Sequence, residues 1–245
     1  RPTHDLTEPA SGARASPEPQ PHVVVNAAAY TAVDKAEGDE AGAFAVNRDG
    51  AGYVAAAAQE AGLPVIHIST DYVFAGDKAD PYTEDDPTGP QGVYGHSKLA
   101  GEAAVAQANA THAILRTAWV YGAYGANFAK TMLRLGEARD TLRVVADQRG
   151  TPTYAPDIAG GIVAVARALA AHPGDPSLRG VFHMVAGGDT TWAGFAEAIF
   201  AHQAQAGGRP VTVEPITTAD YPTPAKRPAN SRLDTSRFQT TFGHT

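Results

Sequence analysis

Two residues one helical turn apart have the types and spacing needed for proton transfer. Tyr94 and Lys98 begin and end the stretch Tyr-Gly-His-Ser-Lys, and a spacing of four places both on one face of a helix. A phenol has a pKa of about 10, but a neighbouring ammonium stabilises the phenolate and lowers that pKa. The sequence therefore predicts that Tyr94 donates a proton and that Lys98 tunes it. The alternative is a surface helix with an amphipathic tyrosine and a solvated lysine.

A short buried strand precedes this pair and favours the chemical interpretation. Residues 66–74 read I-H-I-S-T-D-Y-V-F, and we expect the strand to end in Ser69, Thr70 and Asp71. The Thr70 hydroxyl would then share an oxygen of the substrate with Tyr94. Two such donors can stabilise the alkoxide that forms when a hydride reaches a carbonyl carbon.

Composition limits the classes of protein. The chain has 245 residues, 43% of them hydrophobic, and a net charge of −7, which argues against a general nucleic-acid surface. It contains no cysteine, its histidines show no metal-ligand spacing, and no G-x-S-x-G motif indicates a serine hydrolase. No apolar run is long enough for a membrane span, so we expect a soluble protein and take the cytoplasm as the default location.

The order of elements predicts an α/β fold with a doubly wound parallel sheet. A strand at 22–30, a helix at 33–61 and a strand at 65–69 follow one another with short connections, as in a parallel crossover. We expect residues 1–148 to form a Rossmann-like dinucleotide-binding domain and residues 149–245 a smaller substrate-binding lobe. The elements predicted for that lobe are a helix at 157–171, a strand at 180–185, a helix at 192–206 and a strand at 211–216.

The glycine-rich turn that normally holds a dinucleotide pyrophosphate is missing from this sequence. Either the sequence begins inside the fold, after a first β-α-β unit of about forty residues, or the protein does not bind a dinucleotide in the usual way. We favour the first explanation. Asp5 and Leu6 would then end a short strand, where an acidic side chain can reach the adenosine end of the cofactor.

Two further features each leave two interpretations open. Trp119, near the end of a strand at 112–121, would either stack on a substrate or lie at an amphipathic rim. The proline-punctuated tail at 221–235 carries Lys226, Arg227 and Arg232. It is either a lid whose cations meet phosphate or a solvated surface loop.

Several longer motifs resemble the dTDP-4-dehydrorhamnose reductases, a family of extended short-chain dehydrogenases/reductases. The similarity covers nearly the whole chain from Asp5 onward and is more specific than Tyr-x-x-x-Lys alone. The motifs are S-T-D-Y-V-F at 69–74, V-Y-G-H-S-K-L-A-G-E at 93–102, R-T-A-W-V-Y-G at 116–122, N-F-A-K-T-M-L-R-L at 127–135 and Y-P-T-P-A-K-R-P-A-N-S-R-L at 221–233.

The resemblance implies hydride transfer from NADPH or NADH to C4 of dTDP-4-dehydro-6-deoxy-L-mannose, which gives dTDP-L-rhamnose. It implies that Tyr94 is the proton donor, Lys98 binds the nicotinamide ribose and Thr70 completes the catalytic set, while Asp71 and Trp119 contact the sugar nucleotide. The cofactor contacts that it implies, besides Tyr94 and Lys98, are Asp5, Leu6, Ala29, Tyr30, Thr31 and Ile68. Some relatives bind magnesium through glutamates at a dimer interface, but Pro156 stands at the matching position here, so we expect no metal and assign no oligomeric state.

Three alternatives remain beside this interpretation. Sugar-nucleotide dehydratases share the fold and place an Asp-Glu pair after the same Ser-Thr, but Tyr72 follows Asp71 here. A non-catalytic regulatory subunit of the same fold would not need Thr70, Tyr94 and Lys98. Another nucleotide-sugar reductase or epimerase is the third alternative.

Overall fold

A four-stranded parallel sheet forms the centre of the computed structural model, which describes residues 5–8 and 21–244. The strand order is β1 (Val24–Asn26), β2 (Val65–Thr70), β3 (His112–Thr117) and β8 (Gly180–His183). The pairs β1–β2, β2–β3 and β3–β8 are all parallel. The carboxyl ends of the strands therefore lie at one edge, where open α/β sheets bind their ligands.

Helices cover both faces of this sheet, as predicted for a doubly wound fold. Helices α3 (Ala51–Glu60) and α4 (Val93–Ala108) pack alanines and Val105 against one face. Helices α6 (Ala155–Ala171) and α8 (Ser236–Phe242) pack Ile158, Val165 and Phe238 against the other. Because both faces are covered, β2 reads as a nearly continuous buried run.

The helix predicted at 33–61 is divided into shorter pieces. Helix α1 covers Val33–Ala36, α2 covers Glu40–Phe44, and a π-helical segment, Ala45–Gly50, precedes α3. Asp39 breaks the run because its side chain accepts a hydrogen bond from the Gly42 N–H at 3.2 Å and so caps α2. The prediction of one continuous helix was wrong at this point.

A second cluster of elements forms a smaller core. Strand β5 (Thr141–Val145) pairs in parallel with β10 (Thr212–Ile216), and α5 (Phe128–Gly136) and α7 (Trp192–Gln205) pack against them. The short strands are β4 (Val120–Tyr121), β6 (Arg149–Gly150), β7 (Thr153–Tyr154) and β9 (Thr190–Thr191), which pair as β4–β7 and β6–β9. Within the described residues, single turns of 3₁₀-helix lie at Asp71–Val73, Pro176–Leu178 and Thr218–Asp220.

The structure changes the predicted membership of the smaller lobe. Strand β8 was expected there, but it pairs with β3 in the main sheet, and α6 packs on the same sheet. The reason is burial, because Phe182 is 2% exposed among α6 and α8 side chains. The wider division of the chain at residue 149 into a cofactor domain and a substrate lobe stays a prediction.

Candidate active site

Strand β2 delivers Thr70 and Asp71 to the carboxyl edge of the sheet. Thr70 is the last residue of β2 and caps the following 3₁₀ turn, since its Oγ1 accepts a hydrogen bond from the Tyr72 N–H at 3.2 Å. The same hydroxyl donates to Asp71 Oδ1 at 2.9 Å. Both side chains are buried, so the surrounding protein holds them in place at the end of the strand.

Helix α4 brings Tyr94 to the same edge. The helix begins at Val93, whose N–H donates to Glu37 Oε1 at 2.9 Å. Gly95 lies so close to the Tyr72 carbonyl that a Cβ there would overlap it. The Tyr94 ring lies edge-on to Tyr72, with centroids 5.4 Å apart, and its hydroxyl lies near the Thr70 side chain.

Lys98 lies one turn further along α4 and is almost entirely buried, at 2% exposure. Its Nζ donates to the Ile68 carbonyl at 2.7 Å and lies 3.4 Å from His67 Nε2. Burial lowers the pKa of Lys98 to about 8, and the nearby charge of Glu102 opposes that shift. This amine can therefore change its protonation state close to neutral pH.

The pKa of Tyr94 is set by its burial and by three neighbouring side chains. Burial raises the pKa of Tyr94 above its ordinary value of 10, with further increases from Asp71 and Tyr72, while the hydrogen bond to Thr70 acts in the opposite direction. The Lys98 amine instead contacts the Ile68 carbonyl and His67, and its expected effect on the pKa of Tyr94 stays a prediction. Tyr94 is thus fully protonated at neutral pH.

Asp71 is a buried carboxyl group at the mouth of the site. Burial raises the pKa of Asp71 to about 6, and hydrogen bonds from Ser231 and Thr70 partly oppose this. Ser231 lies far along the chain, in the tail that sequence reasoning left undecided. That tail therefore reaches Asp71 at the carboxyl edge of the sheet, which the sequence pattern alone did not establish.

The segment expected along the cofactor is anchored by a residue that sequence reasoning missed. Asn47, in the π-helical segment, accepts from the Tyr30 N–H at 2.8 Å and donates to the Tyr30 carbonyl at 3.1 Å. It also donates to Ser97 Oγ of α4 at 2.9 Å. Ala29 and Thr31, on either side of Tyr30, are half-buried and exposed respectively. A π-helical segment is a frequent mark of a functional position, but no sequence pattern indicated it.

Asp5 and Leu6 lie in a turn, not at the end of a strand as expected. Asp5 accepts hydrogen bonds from the Thr7 N–H at 2.9 Å and the Thr7 hydroxyl at 2.7 Å. Leu6 packs against Gly50, where a Cβ would approach the Leu6 carbonyl to 2.8 Å. The predicted strand was wrong for these two residues, because the Asp5 side chain caps a local turn; its preceding residue, His4, lies outside the described residues.

Trp119 stacks on a second tryptophan that sequence reasoning did not single out. Its ring lies 3.5 Å from that of Trp192 with an interplanar angle of 9°, and Phe128 packs on Trp192 at 4.5 Å. Trp119 also has a positive φ of 49°, a rare backbone state for a large residue. Gly150 leaves room for the ring, since a Cβ there would overlap it. The two rings form a half-buried aromatic pair.

A cavity of about 540 Å³ lies between the smaller core and the carboxyl edge of the main sheet. Tyr72 and Arg227 line it on one side and Trp192 on another, and Arg139 and Arg143 add positive charge. The residues that complete its lining are Phe128, Thr131, Met132, Leu135, Leu142, Val144, Val145, Gln148, Ile216, Asp220, Tyr221 and Thr223. An apolar wall with three arginines suits a flat ring joined to an anionic group.

Residues 223–233, which we name the C-terminal strap, cross from this cavity to the main sheet. Arg227 donates to the Tyr72 hydroxyl at 3.1 Å and to Asp34 Oδ2 at 2.6 Å. The Ala225 N–H also donates to Asp34, at 3.2 Å. The strap is therefore fixed to α1 and to Tyr72, and the interpretation as a solvated loop does not describe Arg227.

A buried ion pair lies behind the site. Arg116 donates to Glu102 through Nε at 2.9 Å and through Nη2 at 2.7 Å, and Ser69 donates to Glu102 Oε1 at 2.5 Å. Glu102 and Arg116 belong to the two quoted motifs that contain Lys98 and Trp119. Their pairing was not visible in the sequence because it joins α4 to β3. Among the described residues, no group of three or more His, Cys, Asp or Glu could hold a metal ion.

The fold and the site together define a class of protein. A Rossmann-like α/β sheet carries Thr70 at a strand end and Tyr94 and Lys98 on the next helix, which is the arrangement of a short-chain dehydrogenase/reductase. In the part of the chain that the structure describes, no helix has both the length and the apolar character to span a membrane.

Comparisons with known proteins identify the family within that class. A family model for the RmlD substrate binding domain matches residues 1–245. The chain is 51% identical over 243 residues to a dTDP-4-dehydrorhamnose reductase of Sinorhizobium fredii, covering 99% of this chain and 82% of the relative. It is 44% identical over 241 residues to the dTDP-4-dehydrorhamnose reductase of Escherichia coli K12, covering 97% of this chain and 79% of that relative. The chain belongs to the dTDP-4-dehydrorhamnose reductase family.

Solved structures agree with this assignment. The dTDP-4-dehydrorhamnose reductase of Bacillus anthracis, crystallised in complex with NADP, superposes with a TM-score of 0.89 at 37% identity, covering 97% of this chain and 80% of that chain. The Clostridium acetobutylicum orthologue superposes with a TM-score of 0.85 at 40% identity, covering 97% and 80%. The Rossmann-like fold predicted from the sequence is confirmed.

Proposed function

We propose that this chain reduces the 4-keto group of dTDP-4-dehydro-6-deoxy-L-mannose to give dTDP-L-rhamnose, with NADPH or NADH as the hydride donor. The observation that carries the proposal is that Thr70 and Tyr94 both contact Tyr72, which lines the arginine-lined cavity, with Lys98 one turn further along α4. Family membership supports the same activity, because the relatives compared above are dTDP-4-dehydrorhamnose reductases.

The residues present fit the nicotinamide end of a dinucleotide. The Lys98 amine has three N–H donors when protonated and gives one to Ile68, which leaves donors for the hydroxyls of a ribose. Ala27 and Ala28 are exposed at the carboxyl end of β1, where small side chains leave space for a flat ring. When bound, the reduced nicotinamide supplies the hydride. The crystal structure of the Bacillus anthracis relative contains NADP.

Tyr94 provides the proton in this proposal. Because the pKa of Tyr94 is raised by burial, the hydroxyl keeps its proton until a stronger base forms beside it. An alkoxide at C4 is such a base, so the proton moves from Tyr94 to the new hydroxyl oxygen. Thr70, whose side chain lies near the Tyr94 hydroxyl, orients the phenol toward that oxygen.

The cavity is the proposed site of the sugar nucleotide. Arg227 presents its guanidinium to the cavity beside Tyr72, and a guanidinium matches the geometry of phosphate oxygens. Trp192 lines the cavity and stacks on Trp119, so its ring gives an apolar surface for the sugar ring. Asp71 accepts hydrogen bonds within the site and would accept one from a sugar hydroxyl.

The test is a reduction assay that follows the absorbance of the reduced nicotinamide, with the keto sugar and each cofactor in turn. We expect turnover by the unchanged protein and a loss of at least about a hundredfold in kcat for Tyr94→Phe, with cofactor affinity retained. Tyr124→Phe is the matched control, because Tyr124 is 95% exposed. Unchanged turnover in Tyr94→Phe would refute the proton-donor role, and absence of turnover by the unchanged protein with both cofactors would refute the activity.

Dehydration is disfavoured by the position after Asp71. A dehydratase needs a base beside the carbonyl to remove a proton, and this chain has Tyr72 there, with its hydroxyl hydrogen-bonded to Arg227. The burial of Thr70 and Lys98 close to Tyr94 supports catalysis over a purely regulatory role.

A further inference from the structure

Three buried polar side chains form a line of contacts near the carboxyl edge of the main sheet. Asn26 of β1, His67 of β2 and Lys98 of α4 are exposed by 5%, 0% and 2%. Asn26 Nδ2 lies 3.2 Å from His67 Nδ1, and His67 Nε2 lies 3.4 Å from Lys98 Nζ. Because the imidazole contacts both neighbours through its two nitrogens, the hydrogen position on His67 determines what it presents to Lys98.

The hydrogen-bond network fixes that hydrogen position. The Ala28 N–H is an unambiguous donor and lies 3.2 Å from Asn26 Oδ1, so the amide oxygen faces Ala28 and the amide nitrogen faces His67. His67 Nδ1 must then accept. Burial and the neighbouring charge of Lys98 hold the pKa of His67 well below its ordinary value, so the ring is neutral and carries its single hydrogen on Nε2.

An Nε2–H beside Lys98 interacts differently with the neutral amine and with the ammonium. A neutral amine offers a lone pair to this donor, while an ammonium offers only N–H groups and makes a donor-to-donor contact. Glu102 acts in the opposite direction, because its negative charge one turn along α4 favours the ammonium. Arg116 of β3 is bound to Glu102 through two hydrogen bonds and reduces the charge that Lys98 experiences.

We propose that His67 is a positioning residue that donates its Nε2–H to the neutral form of Lys98 and, together with Glu102, sets the balance between the two protonation states of that amine. The inference rests on the proposed function for its consequence in catalysis. The ammonium is the form that stabilises the phenolate left on Tyr94 after proton donation. The rate should therefore fall as Lys98 loses its proton at alkaline pH.

The hydrogen position on His67 can be measured without any turnover. In protein labelled with ¹⁵N-histidine, the two ring nitrogens of a neutral imidazole have well-separated shifts, and the signal of His67 is assigned by its loss in His67→Gln. We expect the hydrogen to stay on Nε2 from about pH 6, just below the pKa of an ordinary histidine, to about pH 9, above the pKa of Lys98. A hydrogen on Nδ1, or a doubly protonated ring, would overturn the proposal.

Two variants test the balance in opposite directions. In His67→Gln, an amide of adjustable orientation replaces Nε2–H and can present its oxygen to the ammonium. We expect the alkaline limb of the kcat profile to move to higher pH by about one unit. In Glu102→Gln the favourable charge is lost, and we expect the limb to move to lower pH. His202→Gln on the exposed face of α7 should leave the profile unchanged.

A merely structural role predicts a different outcome, namely a lower plateau with the alkaline limb in its original place. That result for His67→Gln, or limbs that move in the same direction in both variants, would contradict the proposal. Since Glu102→Gln leaves Arg116 without its partner, a ¹³C-lysine titration of Lys98 in the unchanged protein and in His67→Gln gives the same answer independently. If the protein shows no reductase activity, the NMR measurements still decide the inference about His67.

Discussion

Asp71 illustrates how one buried group links function to stability. Burial raises the pKa of Asp71 from 3.8 to about 6, so between these values the folded protein holds a proton that the unfolded chain has released. The free energy of unfolding therefore decreases as pH rises through this window and stays lower above it. A shift of about two units corresponds to roughly 3 kcal/mol, which is an upper value for one side chain.

Replacing Asp71 by Asn should remove this cost. We expect Asp71→Asn to raise Tm at neutral pH, to make Tm less dependent on pH between about 4 and 6, and to lower kcat/KM for the keto sugar. Thermal unfolding at several pH values and steady-state kinetics measure the two effects. Asp80→Asn, at an exposed position, is the control. A variant that loses stability at neutral pH would show that the carboxylate contributes more through its hydrogen bonds than it costs through burial.

A substitution of Lys98 gives a second prediction at the scale of single residues. Lys98→Met keeps a long buried side chain but removes the donor to Ile68 and the contact with His67. We expect kcat to fall and the cofactor Kd to rise together, because the amine is proposed both to bind the ribose and to stabilise the Tyr94 phenolate. Tm should not fall by much, since a buried amine is costly to desolvate. Cofactor titration by fluorescence provides the check, and normal affinity would exclude the ribose contact.

At the scale of elements, the close packing of α4 on the π-helical segment is the main positioning device. A Cβ on Gly101 would overlap the carbonyl oxygen of Asn47, and backbone atoms cannot move aside as a flexible side chain can. Asn47 in turn holds both Tyr30 and Ser97. A displacement of α4 therefore disturbs Tyr94, the proposed proton donor, and the proposed cofactor segment together.

Gly101→Ala should consequently lower both stability and activity. We expect a loss of about 1–3 kcal/mol in the free energy of unfolding and a higher KM for the cofactor. Gly160→Ala in α6 is the matched control, because a Cβ there meets only the His244 side chain at 3.5 Å and alanine favours a helix. Equal stability of the two variants by chemical denaturation would mean that α4 can shift without penalty.

Sequence reasoning succeeded where local pattern and burial agree. The apolar run ending in Ser69-Thr70-Asp71 and the helix carrying Tyr94 and Lys98 were both predicted, because strand length and helical spacing are local properties. It failed where a single side chain overrides the pattern, as Asp39 does by capping α2 within the predicted long helix. It also failed for β8, whose place in the main sheet depends on packing against α6 and α8.

The residues of the candidate site also fall into those predicted from local pattern and those that only the structure reveals. Thr70, Tyr94 and Lys98 were proposed from residue type and spacing, but Asn47, Glu102, Arg116 and Trp192 make their contacts with partners in other elements. Glu102 pairs with Arg116 across two elements, and Trp192 meets Trp119 across a separation of more than seventy residues. No spacing rule within one segment could have joined them.

At the scale of the whole molecule, the C-terminal strap connects the smaller core to the carboxyl edge of the main sheet. Arg227 bridges Tyr72 and Asp34 while it also lines the cavity. The ion pair with Asp34 is partly exposed, with side-chain exposures of 25% and 41%, so it contributes little to stability by itself. Its geometry instead holds the guanidinium at the boundary between the cavity and Tyr72.

Arg227→Ala should therefore weaken substrate binding more than folding. We expect KM for the nucleotide sugar to rise by roughly tenfold to a hundredfold, the value of a charge-assisted hydrogen bond, while Tm and cofactor affinity change little. Lys226→Ala is the matched control, because this neighbouring cation of the strap points away to Gln91 at 3.0 Å. If both variants raise KM equally, the effect is one of net charge. If only Arg227→Ala does so, the strap places one specific cation over the substrate, and the sugar nucleotide is recognised by both parts of the molecule at once.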